Sequence, residues 1–235
     1  MPFRGMYFDS TYLLVILGLI LGLAAQGLVR YAYRKYTGVR SEKGVTAAVA
    51  VADMLSRCGN DTVQVQQVAG EMTDNYNPGN NTLNLSQNVY GSDSVAALGI
   101  AAHEAGHAMQ KYDAYALLNL RSMLVPAVNI GSQASMPLFF LGLVASLDPL
   151  VTLGIACFAL TVLFSLLTLP VEIDASRRGL RMLRESGYLN AEELSGARKV
   201  LIAAALTYVA SALAALLNLA RLLLIAQSRS SRRRS

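Results

Sequence analysis

Leu150-Val-Thr-Leu-Gly-Ile-Ala-Cys-Phe-Ala-Leu-Thr-Val-Leu-Phe-Ser-Leu-Leu-Thr-Leu-Pro170 runs for 21 residues without a charged side chain. At about 1.5 Å per residue a helix of that length reaches about 30 Å, the thickness of a bilayer's hydrocarbon core. Three more apolar runs of 18 residues or longer lie outside it: Tyr12 to Val29, Met123 to Ser146 and Leu201 to Ala226. Charged residues make up only 15% of the chain and hydrophobic ones 54%, with a mean hydropathy of +0.40. Soluble domains carry about 25% charged residues, so disordered, fibrous and ordinary cytosolic readings are excluded. The first run is too long for a cleaved signal. Arg30-Tyr-Ala-Tyr-Arg-Lys35 behind it reads as a stop-transfer flank. The expected layout is an N-terminal segment (1–11), spans at 12–29, 123–146, 150–170 and 201–226, polar segments at 30–121 and 171–199, and a basic tail at 227–235.

The net charge of +5 reads as a topology signal. Of the 20 Lys and Arg residues, 14 fall in the two polar segments, Arg30 to Arg121 and Val171 to Lys199. Only Arg4 precedes the first span, and the Leu147-Asp148-Pro149 hairpin has no base. The positive-inside rule therefore puts both polar segments in the cytoplasm of a multi-pass membrane protein. Arg221 inside the fourth run is costly at mid-bilayer, and a full fourth span would leave Arg229, Arg232, Arg233 and Arg234 outside. A bent or partly interfacial fourth helix stays open. The arginine tail reads as a solvated or headgroup contact, with no nucleic-acid partner. Cys58 lies in a polar region and Cys157 in an apolar run, which excludes a disulfide scaffold.

The larger polar segment reads as helix, strand, turn, strand, helix. Val45 to Arg57 is helical in pattern and stopped by Gly59, and Thr62-Val-Gln-Val-Gln66 alternates as a half-buried strand does. Asp74 to Asn81 is dense in turn formers, Thr82-Leu-Asn-Leu-Ser86 alternates again, and Gly91-Ser-Asp-Ser94 offers an N-cap for a helix from Val95 to Tyr112.

That last helix contains His103-Glu104-Ala-Gly-His107. Residues four apart on a helix lie about 40° apart around the axis, so both imidazoles share a face. Glu104 is close to a metal held there but poorly placed to ligate it. Two nitrogen ligands, an open position for water and a carboxylate base are the parts of a zinc hydrolase. Zinc lowers the pKa of water to about 7, within reach of a glutamate. The motif alone recurs by chance, but the chain has only two histidines and both are in it. The bland alternative is a pair of ordinary surface or capping histidines. The expected cofactor is one Zn2+ per chain, with Glu104 as the catalytic base.

A third protein ligand must come from elsewhere: Asp113, Glu172, Asp174 or Glu185 are available. Asp113 is about 240° around a continuing helix and faces away. Glu172 follows the third span, on the side that holds the histidines under the topology above. It could instead be an interfacial acid paired with Arg177 or Arg178.

Ala102-His-Glu-Ala-Gly-His-Ala-Met-Gln110, Asn75-Tyr-Asn-Pro78, Leu85-Ser-Gln-Asn-Val-Tyr90 and Leu169-Pro-Val-Glu-Ile-Asp-Ala-Ser176 together resemble the YugP-like neutral zinc metallopeptidases of bacterial membranes. More distantly the chain is similar to the HtpX-like and CAAX prenyl peptidases, in which a ligand glutamate opens a Glu-x-x-Ala-Asp helix. The resemblance implies His103, His107 and Glu172 as ligands, with Ser176 in the place of the aspartate that orients a histidine. It implies a mainly α membrane protein of about four transmembrane helices, with a small zincin-like α+β catalytic unit inserted between the first and second. It also implies a peptide or membrane-protein substrate, cleaved in membrane protein quality control, that adds to an edge strand beside the active-site helix. Thr82 to Ser86 is the expected edge, through Leu83, Asn84 and Leu85. The strand could equally only cover the helix. For the oxyanion, Tyr90, Arg178 and Tyr188 are candidates, with Arg177 and Arg181 behind them.

The second span carries Pro126, Asn129, Ser132, Gln133 and Pro137, which bond between helices or line a hydrated groove. Gly18 and Gly22 in the first form a small-xxx-small pair. Two rival functions remain open. A silent scaffold with a structural metal would have no need of Glu104. A small transporter or channel subunit would need more intramembrane charge and internal repeats.

Overall fold

The computed structural model describes residues 10–234, and side chains through residue 229. Most of the expected N-terminal segment, Arg4 included, and the side chains of Arg232, Arg233 and Arg234 lie outside the described residues. The protein is mainly helical: α1 (Tyr12–Thr37), α2 (Ala47–Arg57), α3 (Gln87–Tyr90), α4 (Val95–Tyr112), α5 (Ala116–Val144), α6 (Asp148–Ser186) and α7 (Ala191–Arg234). Among the described residues three short strands complete it: β1 (Gln64–Val68), β2 (Asn75–Asn77) and β3 (Thr82–Ser86). Helices α1, α5, α6 and α7 are long and apolar enough to cross a membrane. The described residues divide into two compact units, one of residues 10–24, 123–167 and 208–234, the other of residues 25–122 and 168–207.

In the first unit, α1 and α7 run antiparallel. Gly18 faces Ala214, whose Cβ would stand 3.1 Å from an added methyl group, while Gly22 meets nothing within 4 Å. The expected glycine pair is thus a single close approach. Tyr12 lies 4.3 Å from the Arg221 guanidinium, ring face to cation, which gives that arginine an aromatic partner. Helix α7 is unbroken from Ala191 to Arg234. Arg229 Nη1 donates to the carbonyls of Gly142 (3.2 Å) and Leu143 (2.8 Å). It thereby bonds two of the last carbonyls of α5, of which that of Gly142 also accepts from the Leu147 N–H at 2.9 Å. Ser132 and Ser135 of α5 donate to the carbonyls of Asn129 and Ser132 on their own helix, a local satisfaction of polar groups.

The second unit holds the sheet. Its order is β1-β3-β2, with β1 parallel and β2 antiparallel to β3. The expectation that Thr82–Ser86 is an edge is therefore corrected: both of its backbone edges are filled. Leu83 and Leu85 point to one face with no exposure, and burying that face against helices puts β3 in the middle. On the other face a row of amides crosses the sheet, Gln66 Nε2 to Asn84 Oδ1 (2.6 Å) and Asn84 Nδ2 to Asn75 Oδ1 (2.9 Å). Strand β2 lies inside the stretch expected to be a turn.

Helix α4 starts where the sequence signals it. The Ser94 side chain accepts a hydrogen bond from the Ala97 N–H at 3.2 Å. The helix is buried nearly all round, because Leu98, Ala101, Ala102, Ala105 and Ala108 share one apolar core with Met54, Leu55, Met182 and Leu183. Helix α6 passes through Pro170 instead of ending there. It crosses α4 closely enough that Gly106 lies on the carbonyl of Ala175, and Gly179 on that of Ala102. A side chain at either glycine would meet backbone. The two small residues set the helix separation, and that separation brings the chemistry-bearing faces of α4 and α6 together.

Candidate active site

His103 and His107 project from one face of α4, as their spacing requires. Glu172 meets them from α6, its Oε2 3.2 Å from His103 Nε2 and 3.5 Å from His107 Nε2. The three side chains are 15%, 12% and 4% exposed, so the cluster is nearly dry yet still reachable. One ligand atom from each lies within 4.8 Å of the others, a group that could hold a metal ion. Asp113, Asp174 and Glu185 do not belong to it.

Both outer imidazole nitrogens have partners. His103 Nδ1 lies 3.0 Å from Ser176 Oγ, and His107 Nδ1 lies 3.0 Å from Gln110 Oε1. Gln110 is fully buried, and its Nε2 donates to Val171 O (2.8 Å) and Asp174 Oδ2 (2.9 Å). Those two bonds turn its amide oxygen toward His107. With Nδ1–H donated outward, each Nε2 keeps its lone pair for the centre of the cluster. Asp174 in turn accepts from Arg178 Nε at 2.7 Å, and Arg178 also pairs with Asp113.

Glu104 stands beside the histidines and outside the ligand group. Its Oε2 accepts a hydrogen bond from the Tyr76 N–H at 2.9 Å, which ties it to β2. Arg121 of α5 also reaches the site, its Nη1 3.2 Å from the other Glu172 oxygen, Oε1. Sequence reasoning misses Tyr76, Gln110 and Arg121. Gln110 has a signal, since it lies three residues after His107 on the same face; Arg121 reads in the sequence only as a topology charge.

The expected oxyanion candidates are placed otherwise. Tyr188 donates its hydroxyl to Asp53 Oδ2 at 2.7 Å, and burial together with that bond pushes its pKa up. Arg178 is held by Asp113 and Asp174. Tyr90 packs on the apolar core, and Arg177 and Arg181 are exposed.

The donor set fits zinc. Ligands about 2.0–2.2 Å from a tetrahedral zinc stand about 3.3–3.6 Å apart, the size of both Glu172–imidazole separations. Burial works against a charged His107, yet its bonds to Glu172 and Gln110 and the charges of Glu104 and Glu172 raise its pKa overall.

Residues 11–227 match the family described as "Putative neutral zinc metallopeptidase". The chain belongs to that family. It is also 41% identical over 214 residues to a protein of Bacillus subtilis (strain 168) described as "Putative membrane protease YugP", covering 90% of this chain and 94% of the other. No solved structure matches it. Membership in a neutral zinc metallopeptidase family accords with the histidine–glutamate cluster. The four long apolar helices fit a multi-pass membrane protein.

Proposed function

We propose that the chain is a membrane-embedded zinc endopeptidase, with His103, His107 and Glu172 as the metal ligands and Glu104 as the general base. The observation that carries this is the convergence of two Nε2 atoms and Glu172 Oε2, with the Glu104 carboxylate held beside them by the Tyr76 N–H. Bound zinc, one per chain, supplies a Lewis acid that makes water acidic enough to react at neutral pH.

The chain's own residues do the rest. Glu104 removes a proton from the attacking water as its oxygen bonds to the scissile carbonyl carbon. Glu104 then returns that proton to the departing amine nitrogen as the C–N bond breaks. Ser176 and Gln110 fix the imidazoles, so neither reorients during turnover. An extended peptide adds to β2, the edge strand that touches Glu104, in place of β3. The zincin-like unit lies between the first and second spans, and the positive-inside distribution puts it in the cytoplasm of a bacterial plasma membrane. There it is positioned to cleave peptide or membrane-protein substrates in quality control.

The test is cleavage of casein by the full chain purified in detergent. Activity that a chelator removes and zinc restores supports the reading. Activity indifferent to the chelator, or no activity in protein that carries zinc, overturns it.

A further inference from the structure

The two oxygens of Glu172 have different partners. Oε2 faces both imidazoles, at 3.2 and 3.5 Å. Oε1 faces Arg121 Nη1, at 3.2 Å. Arg121 arrives from the first turns of α5, a separate element from the α4 helix that carries the histidines and the α6 helix that carries Glu172. Its partner is 4% exposed, so this is no solvated surface pair of the kind that contributes little. A carboxylate with both oxygens free can grip a metal through one or both. A catalytic zinc keeps three protein ligands and leaves one position for water. A second oxygen from Glu172 would compete for that position.

We propose that Arg121 is a positioning residue for the third ligand: its guanidinium occupies Glu172 Oε1, and so limits the glutamate to one-oxygen ligation through Oε2. The inference rests on the ligand set proposed above. Arginine suits the task because it stays charged at any working pH and presents a planar array of donors. The lone Oε1 of a ligating carboxylate needs a donor in a nearly dry site, and Arg121 supplies one.

The guanidinium has a second effect on the metal. Its charge repels a dication, so on electrostatic grounds alone its removal tightens zinc binding. Release of the second Glu172 oxygen acts in the same direction. Coordination number, which the charge alone does not alter, therefore tests the positioning role.

The experiment uses the full chain in detergent, stripped of metal and titrated with Zn2+ against a chromogenic chelator, and separately loaded with Co2+. In Arg121→Met the Co2+ visible bands should lose intensity, as coordination rises when the second Glu172 oxygen joins, while zinc binds at least as tightly as in wild type. Arg121→Lys should recover most of the wild-type spectrum, which a loss of mere bulk would not allow. An unchanged Co2+ spectrum in Arg121→Met, whatever its zinc affinity, overturns the proposal. Should Arg121→Met not fold, Arg121→Ala gives the same comparison with the same two outcomes. Failure of the underlying ligand assignment looks different: Glu172→Ala would then bind zinc as tightly as wild type.

Discussion

Gln110 Nε2 lies 2.9 Å from Asp174 Oδ2, a buried amide on α4 joined to a carboxylate on α6. The same nitrogen serves Val171 O, and the amide oxygen faces His107 Nδ1. Asp174 thus acts on the metal cluster at two removes, through Gln110 and then His107. Asp174→Ala should keep most of its zinc, with affinity lowered by about tenfold at most. Gln110→Leu should cost more, because it removes the bonds to both Val171 O and Asp174 and frees the His107 ring. Chelator competition and thermal melts check both. Zinc loss in Asp174→Ala as complete as in Glu172→Ala would mean that Asp174 is itself a ligand.

Ser176 occupies the place where the more distant peptidase pattern has an aspartate, and its hydroxyl lies 3.0 Å from His103 Nδ1. A hydroxyl accepts that N–H more weakly than a carboxylate does. Ser176→Ala should lower zinc affinity about tenfold. Ser176→Asp should retain at least wild-type affinity, since it supplies a charged acceptor. Identical affinities in wild type and Ser176→Ala would remove the orienting role.

Gly106 and Gly179 let α4 and α6 touch backbone to backbone. Gly106→Val should force the helices apart, cost about 1–3 kcal/mol by overpacking and separate Glu172 from the histidines. The expected readout is joint loss of thermal stability and zinc. A variant that melts lower but binds zinc normally would show that the ligands tolerate a wider crossing.

Much of this site is legible in the amino-acid sequence, for local reasons. Helix periodicity alone puts His103 and His107 on one face, and Ser94 marks the start of their helix. Glu172 needs the family resemblance as well, because no local rule joins it to histidines on a distant helix. What is not legible depends on pairing and packing. Asn75, Tyr76 and Asn77 look like turn residues, and only β3 makes them a strand. The alternation at Thr82–Ser86 reports one buried face but not whether the strand's edges are filled. Pro170 closes the apolar run, yet α6 continues through it, because its cost is one missing hydrogen bond and a local clash, which a long helix can absorb. Arg121 carries no pattern at all. Its role exists only because Glu172 has a second oxygen.

The distribution of basic residues predicts that Asn80 and Asp148 lie on opposite sides of the membrane. Both are exposed. With Cys58 and Cys157 replaced by serine, a cysteine at Asp148 should react with an impermeant maleimide in intact cells, and one at Asn80 only after lysis. Labelling of Asn80 from outside would reverse the assigned orientation.

The central claim is that Glu104 acts on water while His103, His107 and Glu172 hold the metal. Glutamine at position 104 can still accept the Tyr76 N–H, so the site should keep its shape without its base. The direct measurement is zinc per chain and casein cleavage, on the same detergent preparations of wild type, Glu104→Gln and Glu172→Ala. The account predicts that Glu104→Gln retains zinc and loses at least about 100-fold in cleavage rate, while Glu172→Ala loses both. Near wild-type cleavage by Glu104→Gln, or full zinc occupancy in Glu172→Ala, would contradict it.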